Sequence, residues 1–69
     1  MSVYKVIELI GTSEKSWEEA AKNAVDEASK SLRDLRIAEV VEFDLKMEDG
    51  KVTAYRARVK ISFKYQHHA

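Results

Sequence analysis

Five carboxylates, Glu39, Glu42, Asp44, Glu48 and Asp49, are crowded into residues 39–49 of a 69-residue chain. Hard oxygen donors at that density suit a hard cation such as calcium, which takes about six to eight oxygens. On a β-strand, alternation would put Glu42 and Asp44 on one face, about 7 Å apart. A backbone carbonyl or a neighbouring subunit would have to complete the set. The same spacing lets both acids pair with Arg56, Arg58 and Lys60 across a hairpin, which is the plainer use of them, and no EF-hand pattern is present. The basic stripe Arg56, Arg58 and Lys60 could hold a nucleotide or flavin phosphate, but paired with acids it is a salt-bridged sheet face. His67 and His68 could ligate a transition metal; adjacent histidines at a chain end read first as a solvated tail. Trp17 could be a stacking platform, although its spacing from Ala20, Ala21 and Ala24 fits an anchor against the core better. No Ser/His/Asp set, phosphate loop or glycine-rich nucleotide fingerprint occurs, so an enzyme is not expected.

The elements that must position these groups follow from periodicity. Residues 3–10, rich in β-branched and aromatic types, read as a first strand ending at Gly11. Its two faces, Val3, Ile7 and Leu9 against Tyr4, Val6 and Ile10, are both largely apolar, so a single helix cannot cover it. Gly11-Thr12-Ser13 reads as a turn, and Ser16 with Glu19 fits a capping box. A helix is expected at about 17–35, since Trp17, Ala20, Ala21, Ala24, Val25, Ala28, Leu32 and Leu35 form one stripe. Residues 37–47 read as a second strand, with Ile37, Val41, Phe43, Leu45 and Met47 on one face. Glu39 is the exception on that face, which points to pairing at a subunit interface or to function. Residues 52–65 alternate cleanly and read as a third strand.

Glu48-Asp49-Gly50 joins the last two strands. A three-residue loop with Gly50 left-handed keeps odd positions opposite odd positions. It predicts Phe43 opposite Tyr55, Leu45 opposite Thr53, Val41 opposite Ala57 and Glu42 opposite Arg56. A right-handed crossover makes strands one and two parallel. The result is an α+β, β-α-β-β subunit whose three-stranded antiparallel sheet has order 1-3-2, with the helix on strands two and three. Residues 1–65 form a single domain and 66–69 a C-terminal tail.

Composition narrows the function classes. Twelve basic residues balance twelve acidic ones, which leaves no excess charge for a nucleic-acid backbone. Cysteine and proline are absent, excluding a disulfide scaffold, a thiolate metal site and a cysteine nucleophile. No apolar run approaches the ~20 residues of a membrane span, and Met1-Ser2-Val3-Tyr4-Lys5 shows no signal-peptide pattern. A cytoplasmic protein is expected, with neither membrane nor nucleic acid as partner. A domain this small buries only about 60% of its unfolded surface, so association with copies of itself is the expected source of extra stability.

Taken in order, Val3-Tyr4-Lys5-Val6-Ile7-Glu8-Leu9-Ile10-Gly11-Thr12-Ser13, the helix start Ser16-Trp17-Glu18-Glu19-Ala20-Ala21, Ile37-Ala38-Glu39-Val40 and the final Val59-Lys60-Ile61-Ser62-Phe63 resemble the dodecin family over about residues 2–65. The resemblance implies a sheet partly wrapping one helix and a hollow, homododecameric sphere of cubic symmetry. It also implies a flavin buffer, since many dodecins stack riboflavin or FMN between tryptophans. Both chief flavin contacts are changed here. Ile37 stands where the family has the stacking tryptophan, and Arg56 where it has a glutamine at the ring edge. An isoleucine offers no aromatic stacking, and a guanidinium donates but cannot accept. The chain therefore resembles the flavin-less, calcium-dodecin branch, which implies cation binding; Glu42 and Asp44 are the metal candidates on their chemistry alone. The expected function is a non-enzymatic dodecamer that binds a small ligand or cation, calcium first, with little or no flavin. The alternatives are a flavin-storage dodecin with an altered pocket and a purely structural assembly.

Overall fold

The computed structural model describes residues 2–65. Four elements follow one another: β1 (Tyr4–Ser13), α1 (Trp17–Ser29), β2 (Leu35–Glu48) and β3 (Lys51–Lys64). The strands form one sheet in the order β1-β3-β2, with both outer strands antiparallel to β3. That is the expected β-α-β-β topology. The tail expected at 66–69, with His67 and His68, lies outside the described residues.

Alanine spacing sets the packing. Ala20, Ala24 and Ala28 recur every four residues and so share one helix face. They are buried with Ala57, Val59 and Ile61 of β3, and Ile7, Leu9, Ala21, Val25, Leu32 and Leu35 ring this cluster. Small side chains let the helix backbone come very close to the sheet. At Gly11 an added Cβ would lie 1.9 Å from the carbonyl oxygen of Ala20 and 3.0 Å from the Cβ of Ala24. The helix is also tied at its start. Ser16 is the N-cap, accepting from the Glu19 N–H at 3.0 Å. The Glu19 carboxylate accepts from the buried Ser13 hydroxyl at 2.5 Å.

Three expectations about extent are corrected. The Gly11-Thr12-Ser13 turn is instead the end of β1, because Gly11 and Ser13 continue the ladder opposite Ala57 and Tyr55. The helix stops at Ser29 rather than near 35. There the Ser29 hydroxyl bonds back to the Asp26 carbonyl at 2.8 Å, a local competitor of the helical pattern. Asp34 then adopts a positive φ of 60° and turns the chain into β2. Finally, the helix packs mainly on β1 and β3 and barely meets β2. Its 13 residues span about 20 Å, whereas a 14-residue hairpin strand spans about 48 Å. The domain is accordingly elongated, 54 × 19 × 16 Å.

Register decides what each strand face carries. The hairpin loop has two residues, Asp49 and Gly50, with φ of 52° and 75°, the double positive φ favoured in tight hairpins. Gly50 is left-handed as expected, but Met47 pairs with Val52, which alone would set odd against even. A bulge at Thr53 restores parity, so Leu45 faces Tyr55, Phe43 faces Ala57, Asp44 faces Arg56 and Glu42 faces Arg58. The expected partners of Glu42, Phe43 and Leu45 were thus two residues out, and Val41, expected opposite Ala57, has no partner in the ladder. On β2, further shifts between Leu35 and Ile37 and between Val40 and Glu42 leave Arg36 and Val41 as the extra residues. Beyond Val41, Ala38 and Val40 oppose Ile61 and Val59 on the helix side, while Ile37 and Glu39 oppose Ser62 and Lys60 on the outer face. Glu39 is therefore no exception on an apolar face; the bulge flips the whole segment.

A methyl group at Gly11 has nowhere to go, because the nearest atom is helix backbone. Gly11→Ala is expected to lower stability by about 2 kcal/mol or more. Gly50→Ala meets no atom within 4 Å and should cost only the left-handed penalty of about 1–2 kcal/mol. Denaturant midpoints of the two variants check the order.

Candidate ligand-binding face

Strand alternation gathers the charged residues on the sheet face away from the helix. The central strand contributes Arg56, Arg58 and Lys60. Glu8 of β1 and Glu39, Glu42 and Asp44 of β2 flank them in register. Opposite charges directly across a sheet attract, and here they do so on both sides of one strand. Arg56 makes a two-pronged pair with Asp44, Nε to Oδ1 at 2.6 Å and Nη2 to Oδ2 at 2.8 Å. Arg58 spans the sheet, with Nη1 to Glu8 Oε1 at 3.0 Å and Nε to Glu42 Oε1 at 3.3 Å. Hydrogen bonding to Asp44 raises the Arg56 pKa above its usual value, and Glu8 then Glu42 raise that of Arg58. The Arg56 hydrogen bond holds the Asp44 carboxyl below its usual value, with the Arg56 and Arg58 charges adding to the effect.

Asp44 is held from the other side as well. The Trp17 indole N–H donates to the Asp44 carbonyl at 3.1 Å. The indole ring lies 5.6 Å from Phe43, tilted, and 5.2 Å from Tyr55, edge to face. Trp17 is thus an anchor, as its spacing suggested, but it fastens the helix start to the hairpin and lies outside the buried alanine cluster.

The remaining candidates are placed as follows. Ile37 is 66% exposed and lines a shallow groove of about 370 Å³ with Val6, Glu39, Lys60 and Ser62. Arg56 sits opposite Asp44 while Ile37 sits opposite Ser62, six residues along β3, or about 20 Å. One chain does not bring these two positions together. Glu42 and Asp44 do share a face, but each is already paired with an arginine. Among the described residues no three His, Asp or Glu side chains converge on a point that could hold a metal ion. A second hollow, about 420 Å³, lies between Thr12–Glu14 and the hairpin residues Lys46, Glu48 and Thr53. Sequence reasoning paired these acids with the β3 arginines but gave Arg56 to Glu42 in place of Asp44, and it missed the outward turn of Ile37 and Glu39. The Asp49-Gly50 dipeptide signals the loop behind the first; nothing in the residue pattern marks the bulges.

The dodecin family model matches residues 3–66. The chain belongs to the dodecin family. A calcium dodecin of Mycobacterium tuberculosis is 52% identical over 65 residues, covering 93% of this chain and 90% of that protein. A dodecin of Thermus thermophilus is 36% identical over 64 residues, covering 93% of each. Among solved dodecin structures, the calcium-chelating calcium dodecin of M. tuberculosis, described with a novel calcium-binding site, superposes with a TM-score of 0.84 at 46% identity. It covers 99% of this chain and 97% of the other. The dodecin fold therefore accounts for the whole β-α-β-β arrangement, and dodecins are small binding proteins.

Acid should weaken the Asp44 pair. Because the carboxyl is held below its ordinary value of 3.8 in the folded chain, its contribution is present above that pH. It is lost as pH falls through the lowered folded value. Thermal unfolding followed downward through this range should show a steeper loss for wild type than for Asp44→Asn, which has no such proton to take up.

Proposed function

We propose that this dodecin is a non-enzymatic, cytoplasmic homododecamer that binds a divalent cation, calcium first, and binds flavin weakly or not at all. The observation that carries the reading is the Asp44–Arg56 pair, at the position where flavin dodecins are expected to present a glutamine. The Nε–Nη2 edge of the guanidinium is committed to a carboxylate, so that two-pronged edge is not offered to a flavin ring. Ile37 has no aromatic face to stack. The likeness to a calcium dodecin at 52% identity supports the cation.

Assembly is supported by what the helix leaves bare. Ile37, Phe43 and Met47 of β2 are 66%, 54% and 58% exposed, and Tyr4, Val6 and Ile10 of β1 are exposed too. Apolar surface of this extent along two strands suits burial against other copies. The donor set favours a shared cation site. Glu42 and Asp44 supply hard oxygens of the right kind, yet calcium takes about six to eight, so neighbouring subunits would supply the rest. When bound, calcium would hold those subunits together; no catalytic step is implied. Native mass spectrometry at micromolar concentration should show twelve copies, and a monomer or simple dimer would defeat the reading. Calorimetry with calcium should give heat for wild type and little for Asp44→Asn; equal heats, or none in either and none when Arg56 is replaced, would remove the site from these carboxylates.

The flavin arm has its own measurement. Titrating riboflavin with the protein should leave flavin fluorescence nearly unquenched. Ile37→Trp combined with Arg56→Gln should restore quenching, since a stacked indole quenches the flavin. Tight quenching by wild type would favour flavin storage instead.

A further inference from the structure

Asp44 and Glu42 lie side by side on the outer sheet face but are held in unlike ways. Glu42 meets Arg58 through a single 3.3 Å contact, and Arg58 keeps Glu8 at 3.0 Å on its other side. Glu42 can turn away without leaving Arg58 unpaired. Among the described residues Asp44 is the one acid bonded to Arg56, and both its oxygens accept from that one guanidinium. A divalent cation at about 2.3–2.6 Å would need the same lone pairs, and it would repel the guanidinium beside it. A cation chelated by both oxygens therefore competes with the guanidinium for the carboxylate.

We infer that Arg56 regulates the cation site from within, as a tethered guanidinium that must leave Asp44 before a divalent cation can take the carboxylate. This rests on the reading that calcium binds at Asp44. The exchange is local. The Asp44 backbone is fixed by the Trp17 indole N–H at its carbonyl and by the ladder to β3, so only side chains need move. The Arg56 side chain is 37% exposed, so water can receive the released guanidinium. Trp17 is the chain's one tryptophan, and its indole nitrogen is bonded to the Asp44 carbonyl. A divalent charge arriving at the Asp44 side chain changes the field at the indole, so its emission serves as a second readout.

The test is calcium calorimetry on the assembled protein as wild type, Arg56→Gln, Arg56→Lys and Asp44→Asn, with Trp17 emission followed in each titration. Freeing Asp44 should tighten binding at least about threefold, the order expected for releasing a part-exposed ion pair. Arg56→Lys keeps the charge but lacks the two-pronged fork, so occupancy predicts tighter binding in both arginine variants, and Asp44→Asn should abolish it. Uptake by the Arg56 variants with none by wild type would also support masking. Tighter binding in Arg56→Gln with Arg56→Lys at the wild-type level would mean a general field effect and overturn the proposal. Unchanged affinity in both, with binding still lost in Asp44→Asn, would overturn it while leaving the calcium reading intact. No uptake by any variant would overturn both. Flat emission together with calcium uptake retained in Asp44→Asn would place the cation away from Asp44, which also overturns it.

Discussion

The helix can sit where it does because residue 11 has no side chain. With the Ala20 carbonyl where a Cβ would be, β1 and α1 are in backbone contact, and only alanines on the helix permit the same closeness along its length. Close approach gives dense packing from few atoms, which suits a chain too short for a large core. It also fixes which strands the helix covers. Seated over Gly11 and Ala57, it lies along β1 and β3, and it meets the far strand of the sheet mainly through Trp17.

That displacement has consequences for β2. A strand of 14 residues with Ile37, Val40, Val41, Phe43, Leu45 and Met47 exposed is a poor edge for a free monomer, both for its apolar side chains and for its unpaired backbone. The bulge at Val41 divides these residues between the two faces of the sheet. Ile37 joins Val6 on the outer face, beside the charged ladder, while Phe43 and Leu45 remain on the helix side with Trp17 and Tyr55. A strand that is apolar on both sides in this way suits contact with more than one neighbour.

The outer face combines specificity with little net burial of charge. Each arginine is satisfied by an acid from an adjacent strand, and the pairs remain part-exposed, so desolvation is small. Such pairs fix register more than they add stability. They also keep the carboxylates within reach of water and ions, which a buried ladder would not.

The topology, the alanine face, the N-cap at Ser16 and the family were legible in the residues, because each is a matter of local period or of order along the chain. So were the left-handed Gly50 and the use of the acids as partners for the β3 arginines. Which acid meets which arginine was not legible. Pairing depends on the sum of every insertion between the strands, and the two-residue loop together with one extra residue at Thr53 moves Glu42 from Arg56 to Arg58. The facing of Ile37 and Glu39 was hidden for the same reason: a bulge at Val41 reverses the alternation without any change in composition. The helix end at Ser29 was likewise decided by tertiary structure. Leu32 and Leu35 continue the helical period, but the turn at Asp34 and the ladder to β3 deliver both side chains to the same cluster while releasing the backbone to the sheet. The sequence by itself determined what must be buried and what must be charged; only the folded sheet, through its bulges, decided on which face each of those residues stands.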